Sequence, residues 1–245
     1  MKTMVLGMGE VGTAIAATLH KGFAENVATY DPKTDGEFDY ERLKYVSFLH
    51  ICFPWQPGFV QMVQKYQSYL PASAVTIVHS TVPVGTTRKL GPMAVHSPVH
   101  GVHPDLERGL MTFVKYVGGV NTQATNAAWG ALLRCGYFVK IVSSPEASEL
   151  SKLCCTLQYG LAIVACKGIK ELCDHYSVPF EEVYGWNIYY NAGYTALGKP
   201  EVCRPVLTPQ PGPIGGHCVI PNAKITSGWL PKMLLQANEQ FKEIT

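Results

Sequence analysis

The sequence predicts an α/β fold in which a doubly wound parallel sheet is followed by a long helix and a small helical domain. Three observations predict it. Short apolar, β-branched runs alternate with segments of helical spacing up to about residue 145. The first run leads into glycines spaced Gly7-x-Gly9-x-x-Gly12, and a proline-free, largely apolar stretch begins after Pro145 and continues to Tyr176. The first two observations define a Rossmann-type dinucleotide domain over 1–144, and the third opens a helical domain over 145–245.

In "KTMVLGMGEVGTAIAATLHKG" a strand runs into the glycine turn and an alanine-rich helix leaves it. Glycines there permit a tight turn and close approach of backbone to a pyrophosphate, and the helix offers its first amides to the negative charge. Met8, Glu10 and Val11 complete that cofactor turn around Gly7, Gly9 and Gly12. The second strand, "NVATY", ends in Asp31, where the fingerprint places the acid for a ribose hydroxyl. An acid at that place favours NAD over NADP, because it repels a 2′-phosphate. The alternative is a glycine turn in an α/β domain of another kind.

The runs "VSFLHICF", "AVTIVHS", "MAVHS" and "YFVKIVS" end respectively in Pro54, in Thr81-Val82-Pro83, in Pro98 and in Ser144-Pro145. Ligands of open parallel sheets bind outside the carboxyl ends of the strands. Gly9, Asp31, Pro54, Thr81 and Pro98 are therefore expected on one rim, with Ser80 and Thr81 beside the cofactor. "GFVQMVQKYQSYL" and "ATNAAWGALLRC" supply helices between strands.

Ser144 suits an N-cap, Pro145 a first helical position and Glu146 the positive end of a helix dipole, so the long helix should start here. It forms a rod of about 45 Å. Its middle is apolar nearly all round, which implies cover from the tail helices or from a second copy of the chain, and a homodimer is the expectation. Lys152 and Thr156 lie four apart and share a face near its start. Beyond Pro179 come an aromatic, half-helical segment, a proline-rich loop carrying "GGHC" to Cys218, and a short helix "LPKMLLQANEQFKEI".

Composition narrows the functional classes. The 245 residues are 47% apolar and 16% charged with a formal net charge of +2, and no Lys/Arg block offers a footprint for nucleic acid or an anionic membrane. The start "MKTMVLGMGEVG" reads as part of the fold and not as a secretory signal, and the uncharged run Leu153–Cys166 is short for a bilayer. Eight scattered cysteines without a C-x-x-C pair suit thiols in a reducing cytoplasm. "HSPVHGVHPD" gathers His96, His100 and His103, but no carboxylate partner is evident and no metal is expected; His100 or His103 is read as a polar substrate contact or as structural. Arg204 is either a partner for an anionic substrate group or an ordinary surface arginine. Cys218 is either a buried small residue or a thiol presented beside Gly215 and Gly216, and His217 could lower its pKa.

"STVPVGTT" (Ser80 to Thr87), "SPEASELSKL" (Ser144 to Leu153) and "GGHC" ending at Cys218, in that order behind the glycine fingerprint, resemble the UDP-glucose/GDP-mannose dehydrogenase family of nucleotide-sugar dehydrogenases. The resemblance implies oxidation of a sugar alcohol to a carboxylate with two NAD, through a cysteine-bound thiohemiacetal and thioester. By motif position it makes Cys218 the nucleophile and Lys152 the group that stabilises the substrate oxygen or relays its proton. Thr81 becomes the residue that binds the water or hydroxyl, and Gly215 and Gly216 the place where substrate passes close to backbone. The sequence departs from the family at Val99, where the family has a glutamate, at Thr156, where it has an asparagine, and at Asn222, where it has an aspartate. The family's C-terminal nucleotide-binding domain has no counterpart in these residues. Thr156 and Asn222 are retained as catalytic candidates through hydrogen bonding. Two other readings stay open: a single-step hydroxyacid-type dehydrogenase that uses Lys152 without a thioester, and a non-catalytic NAD-binding or sensor protein.

Overall fold

The computed structural model describes residues 2–242. The chain folds into two compact units, Met1–Lys152 and Leu153–Thr245.

The first unit is built on a seven-stranded sheet: β1 (Lys2–Leu6), β2 (Val27–Tyr30), β3 (Val46–Ile51), β4 (Val75–Val78), β5 (Ala94–His96), β6 (Lys115–Gly119) and β7 (Val139–Ile141), in the order β2-β1-β3-β4-β5-β6-β7. β1 to β5 are parallel, in the predicted order of strand and helix. β6 then runs antiparallel to β5, with His96 opposite Gly118, and β7 is parallel to β6. The last two strands therefore point the other way, and β6 is a strand that the sequence pattern does not announce. Helices α1 (Glu10–Phe23), α2 (Phe59–Gln67), α3 (Thr86–Lys89), α4 (Leu106–Thr112) and α5 (Thr122–Arg134) connect them.

Alternation along the strands gives two cores, as a sheet covered on both faces requires. Val5, Ile77 and Val95 pack with Ile15 and Leu19 of α1 and Ala128 and Leu132 of α5. Leu6, Ile51 and Val78 face the other way, onto Phe59 and Val63 of α2.

α6 (Pro145–His175) is the long helix, and its first two turns belong to the first unit. It starts where the cap signals place it, with Ala147 N–H donating to Ser144 Oγ at 3.1 Å. By length and composition α6 meets the measure of a membrane-crossing helix, with mean hydropathy 1.2 over its most apolar window, a measure that core helices of globular proteins also meet. In the second unit the rest of α6 is joined by α7 (Phe180–Tyr184), α8 (Trp186–Ala196), α9 (Val219–Lys224) and α10 (Trp229–Glu239). Leu157 packs there with Val219 and Ala223 of α9 and Leu234 of α10. The segment at Cys218, expected as open loop, thus leads into a helix, with Pro221 in its first turn, where a missing N–H costs nothing.

Candidate active site

The glycine turn has the form a pyrophosphate needs. A Cβ on Gly12 would lie 1.7 Å from the Gly7 carbonyl oxygen, so only glycine lets α1 start this close to the end of β1. Among the described residues no side chain caps α1 at Gly9, and, its chain neighbours apart, no heavy atom lies within 4 Å of where a Gly9 Cβ would stand. Asp31, directly after β2, accepts from Met8 N–H at 2.6 Å through Oδ2 and from Lys33 N–H at 2.9 Å through Oδ1. The residues present therefore fit a dinucleotide. Ser80 is buried, its Oγ donating to the Phe53 carbonyl at 2.6 Å, while Pro54 is exposed and Thr81 half-buried beside it. Val11 is half-buried, and Glu10 is exposed, with its carboxylate against His103 Nδ1.

The first turns of α6 grip the strand ends, and this links two of the sequence motifs. Ser148 Oγ bonds His96 Nδ1 at 2.9 Å. Glu149, fully buried, accepts from Gly85 N–H at 2.6 Å and Thr87 N–H at 2.8 Å, serving as the acceptor for the start of α3. Burial holds its carboxyl above the ordinary range against those hydrogen bonds. Lys152 Nζ donates to the Val99 carbonyl at 2.8 Å. Glu146, read as a dipole partner, is also paired with the Arg88 guanidinium, which draws its pKa down to about 2.

Behind these strand ends lies a polar layer that spacing and composition do not reveal. His50 Nδ1 bonds His79 Nε2 at 2.8 Å, and His79 Nδ1 bonds the Ser97 carbonyl at 2.8 Å. His50 and His96 are pushed down to about 3 and His79 well below its usual value, all chiefly by burial, so the three rings are neutral at pH 7. Lys115, 3% exposed, donates to the carbonyls of Ser97 at 2.8 Å and Pro98 at 3.0 Å. Burial lowers its pKa to about 7, with Lys152 adding to the effect. A signal existed: "FLHICF", "TIVHS" and "AVHS" each carry a histidine within or directly after an apolar strand.

The three histidines of "HSPVHGVHPD" are occupied separately. His96 also bonds the Ser80 carbonyl through Nε2, at 3.2 Å, and His103 faces Glu10. His100 is half-buried, and desolvation, then the Lys152 charge, bring its pKa to about 4. Val99, where the resemblance places a glutamate, is buried in the core.

In the second unit Cys218 is exposed and stands at the N-cap of α9, its carbonyl accepting from Asn222 N–H at 3.1 Å. Among the described residues, chain neighbours apart, nothing lies within 4 Å of a Cβ placed on Gly215 or Gly216, and Gly216 has φ +77°, a conformation natural to glycine. Asn222 is buried and its Nδ2 donates to Thr156 Oγ1 at 3.2 Å, fastening α9 to α6. The loop before Cys218 is held by Lys167, which no motif singles out and whose Nζ donates to the carbonyls of Gln210 and, at 2.6 Å, Gly212. Arg204 lies with its guanidinium 3.7 Å from the ring centroid of Tyr190, and its backbone N–H donates to Asn191 Oδ1.

Comparison of the whole chain with solved structures bears on this arrangement. UDP-D-ManNAc dehydrogenase from Pyrococcus horikoshii superposes with a TM-score of 0.80 at 18% identity, over 98% of this chain and 69% of that one. The fold is that of the nucleotide-sugar dehydrogenases. A UDP-glucose dehydrogenase from Pyrobaculum islandicum gives 0.75 at 15% identity, over 98% and 68%. This chain thus spans about two thirds of those dehydrogenases. The 3-hydroxyisobutyrate dehydrogenase of Mycobacterium tuberculosis, solved with L-serine, gives 0.69 at 16% identity, over 98% of this chain and 94% of its own. No protein-family model and no curated protein matches the sequence.

Proposed function

We propose that the chain is an NAD-dependent dehydrogenase that oxidises an alcohol of a sugar or nucleotide sugar, with Cys218 as nucleophile. The observation that carries this reading is the setting of Cys218: an exposed thiol beside Gly215 and Gly216, on a helix fastened through Asn222 to Thr156, one turn beyond Lys152 on α6. Gly7, Met8, Gly9, Glu10, Val11 and Gly12 would hold the pyrophosphate, Asp31 the ribose hydroxyls, and Pro54, Ser80 and Thr81 the remainder. When bound, the nicotinamide supplies the hydride acceptor.

Lys152 stabilises the substrate oxygen or relays its proton. The Cys218 sulfur adds to the aldehyde carbon to give a thiohemiacetal, which after a second two-electron oxidation is a thioester. Sulfur suits both steps, because thiolate is a strong nucleophile and a good leaving group. Thr81 holds the water that hydrolyses the thioester, returning the thiol and releasing a carboxylate. Thr156 and Asn222 act as hydrogen-bond donors that keep the thiol's helix in place. Neutral His100, with His103, takes over part of the polar contact that Val99 cannot make, and Arg204 meets an anionic group of the substrate. Because this chain spans about two thirds of its nucleotide-sugar dehydrogenase neighbours, the size of the substrate is part of the proposal. Exposed Trp186, Ile188 and Tyr189 on α8 support a homodimer, which sedimentation velocity would test.

Assaying NADH formation over nucleotide sugars and simple sugar alcohols tests the scheme, with two NADH per carboxylate as the expected yield. Equal turnover by wild type and Cys218→Ser would refute the thioester. A second reading, single-step oxidation of a hydroxyacid through Lys152, is favoured by the 94% coverage of the hydroxyisobutyrate enzyme and yields one NADH. Tight NAD binding with no NADH over the panel is the outcome for a sensor.

A further inference from the structure

At the end of β5, two lysines hold three consecutive carbonyl oxygens: Lys115 those of Ser97 and Pro98, Lys152 that of Val99. Lys115 is the first residue of β6, and the antiparallel turn of that strand brings its amine back to the segment that leaves β5. Among the described residues no carboxylate pairs with it. A lysine amine buried against two carbonyls and the Tyr137 ring, whose centroid lies 5.9 Å away, is an expensive means of filling space, since a methionine occupies a similar volume without desolvating an amine.

We propose that Lys115 is a positioning residue for Lys152, fixing the Ser97–Val99 segment on which the Lys152 amine rests. The groups around Lys115 come from every neighbouring element: His50 and Cys52 from β3 and its end, His79 beyond β4, His96 of β5, His100, Tyr137 before β7, whose phenol burial holds above its ordinary range, and Lys152 of α6. The histidines are neutral at pH 7 and burial pushes the Cys52 thiol up to about 12, and within that set it is Lys152 that adds to burial in lowering the Lys115 pKa. Two amines on adjoining carbonyls of one short segment form a linked pair, each sensing the other's proton. The inference rests on the reading of Lys152 as the group that handles the substrate oxygen.

NMR of protein labelled with 13C-lysine tests it without any substrate. The Lys152 signal is assigned by its loss in Lys152→Arg. In wild type its two ε-protons are expected at distinct shifts, as for a held amine, and its signal moves in a step as Lys115 titrates around pH 7. Lys115→Met should merge the ε-protons and abolish the step. Lys115→Arg, which keeps donors and charge but does not titrate, should restore the separation and still lack the step. Unchanged Lys152 signals in folded Lys115→Met would overturn the proposal. If that variant does not fold, a wild-type Lys152 signal that ignores the Lys115 titration does the same. A chain with this signature and no dehydrogenase activity would keep the positioning role and sink the functional reading; activity without the signature would do the reverse.

Discussion

Glu149→Ala is expected to loosen the turn after β4 before any other part of the first unit. The carboxylate is fully buried and accepts from two backbone amides, Gly85 at 2.6 Å and Thr87 at 2.8 Å. Each amide left without a partner in the interior costs about 1–3 kcal/mol, and the one lost methylene about 0.8 kcal/mol more. Burial works in the opposite sense, because it already destabilises the ionised side chain and holds its pKa up. The net loss is about 3–5 kcal/mol. At about 2–4 °C per kcal/mol for a unit of this size, Tm falls by about 6–20 °C. Glu149→Gln keeps one acceptor and turns an NH2 toward the second donor, so its loss should be about half. Calorimetry gives the magnitude, and amide hydrogen exchange locates it at Gly85 and Thr87. If those two amides stay as protected in Glu149→Ala as in wild type, the reasoning is wrong.

Acid should unfold the first unit early. His50 and His96 titrate near 3 in the folded chain against an ordinary 6.5, so the stability they contribute is present above about 6.5 and is lost as pH falls toward 3. Lys115 acts in the same sense from 10.5 down to about 7, and urea midpoints that stay level from pH 9 to pH 4 would contradict both. Lys167→Met should release the carbonyls of Gln210 and Gly212 and speed thermolysin cleavage between Leu207 and Ile214 about tenfold, the equivalent of one charge-assisted hydrogen bond. Gly12→Ala puts a methyl 1.7 Å from the Gly7 oxygen, so NAD affinity measured by fluorescence titration should fall at least about tenfold; unchanged affinity would remove the dinucleotide from this turn.

Much of the first unit was legible because its strands are continuous apolar runs closed by turn residues, as strands covered on both faces must be. β6 escaped because "KYVGG" begins with a charge and ends in two glycines, both poor strand signals. Its lysine and glycines make sense only in three dimensions, where Lys115 reaches the Ser97 and Pro98 carbonyls and Gly118 lies against Ser144. The reversal of β6 and β7 was invisible for a related reason: strand direction depends on how the connection packs, and no local residue encodes it. α9 was hidden by Pro221, which signals a break unless it falls in a first turn. Among the candidate residues, those on a motif with backbone punctuation, such as Gly12, Asp31 and Ser144, could be placed from spacing. Lys115 and Lys167 could not, because nothing in a sequence distinguishes a lysine that reaches inward to carbonyls from one that reaches into water.

The grip of Ser148, Glu149 and Lys152 on the strand ends has a consequence for any attempt to dissect the chain. A polypeptide stopped at residue 144 would contain every strand of the sheet yet leave the Gly85 and Thr87 amides and the His96 ring without their acceptor and partner. On a ribosome, the nucleotide-type half therefore completes itself only after two further turns of peptide have emerged, so the stretch that opens the second half is also the last piece of the first.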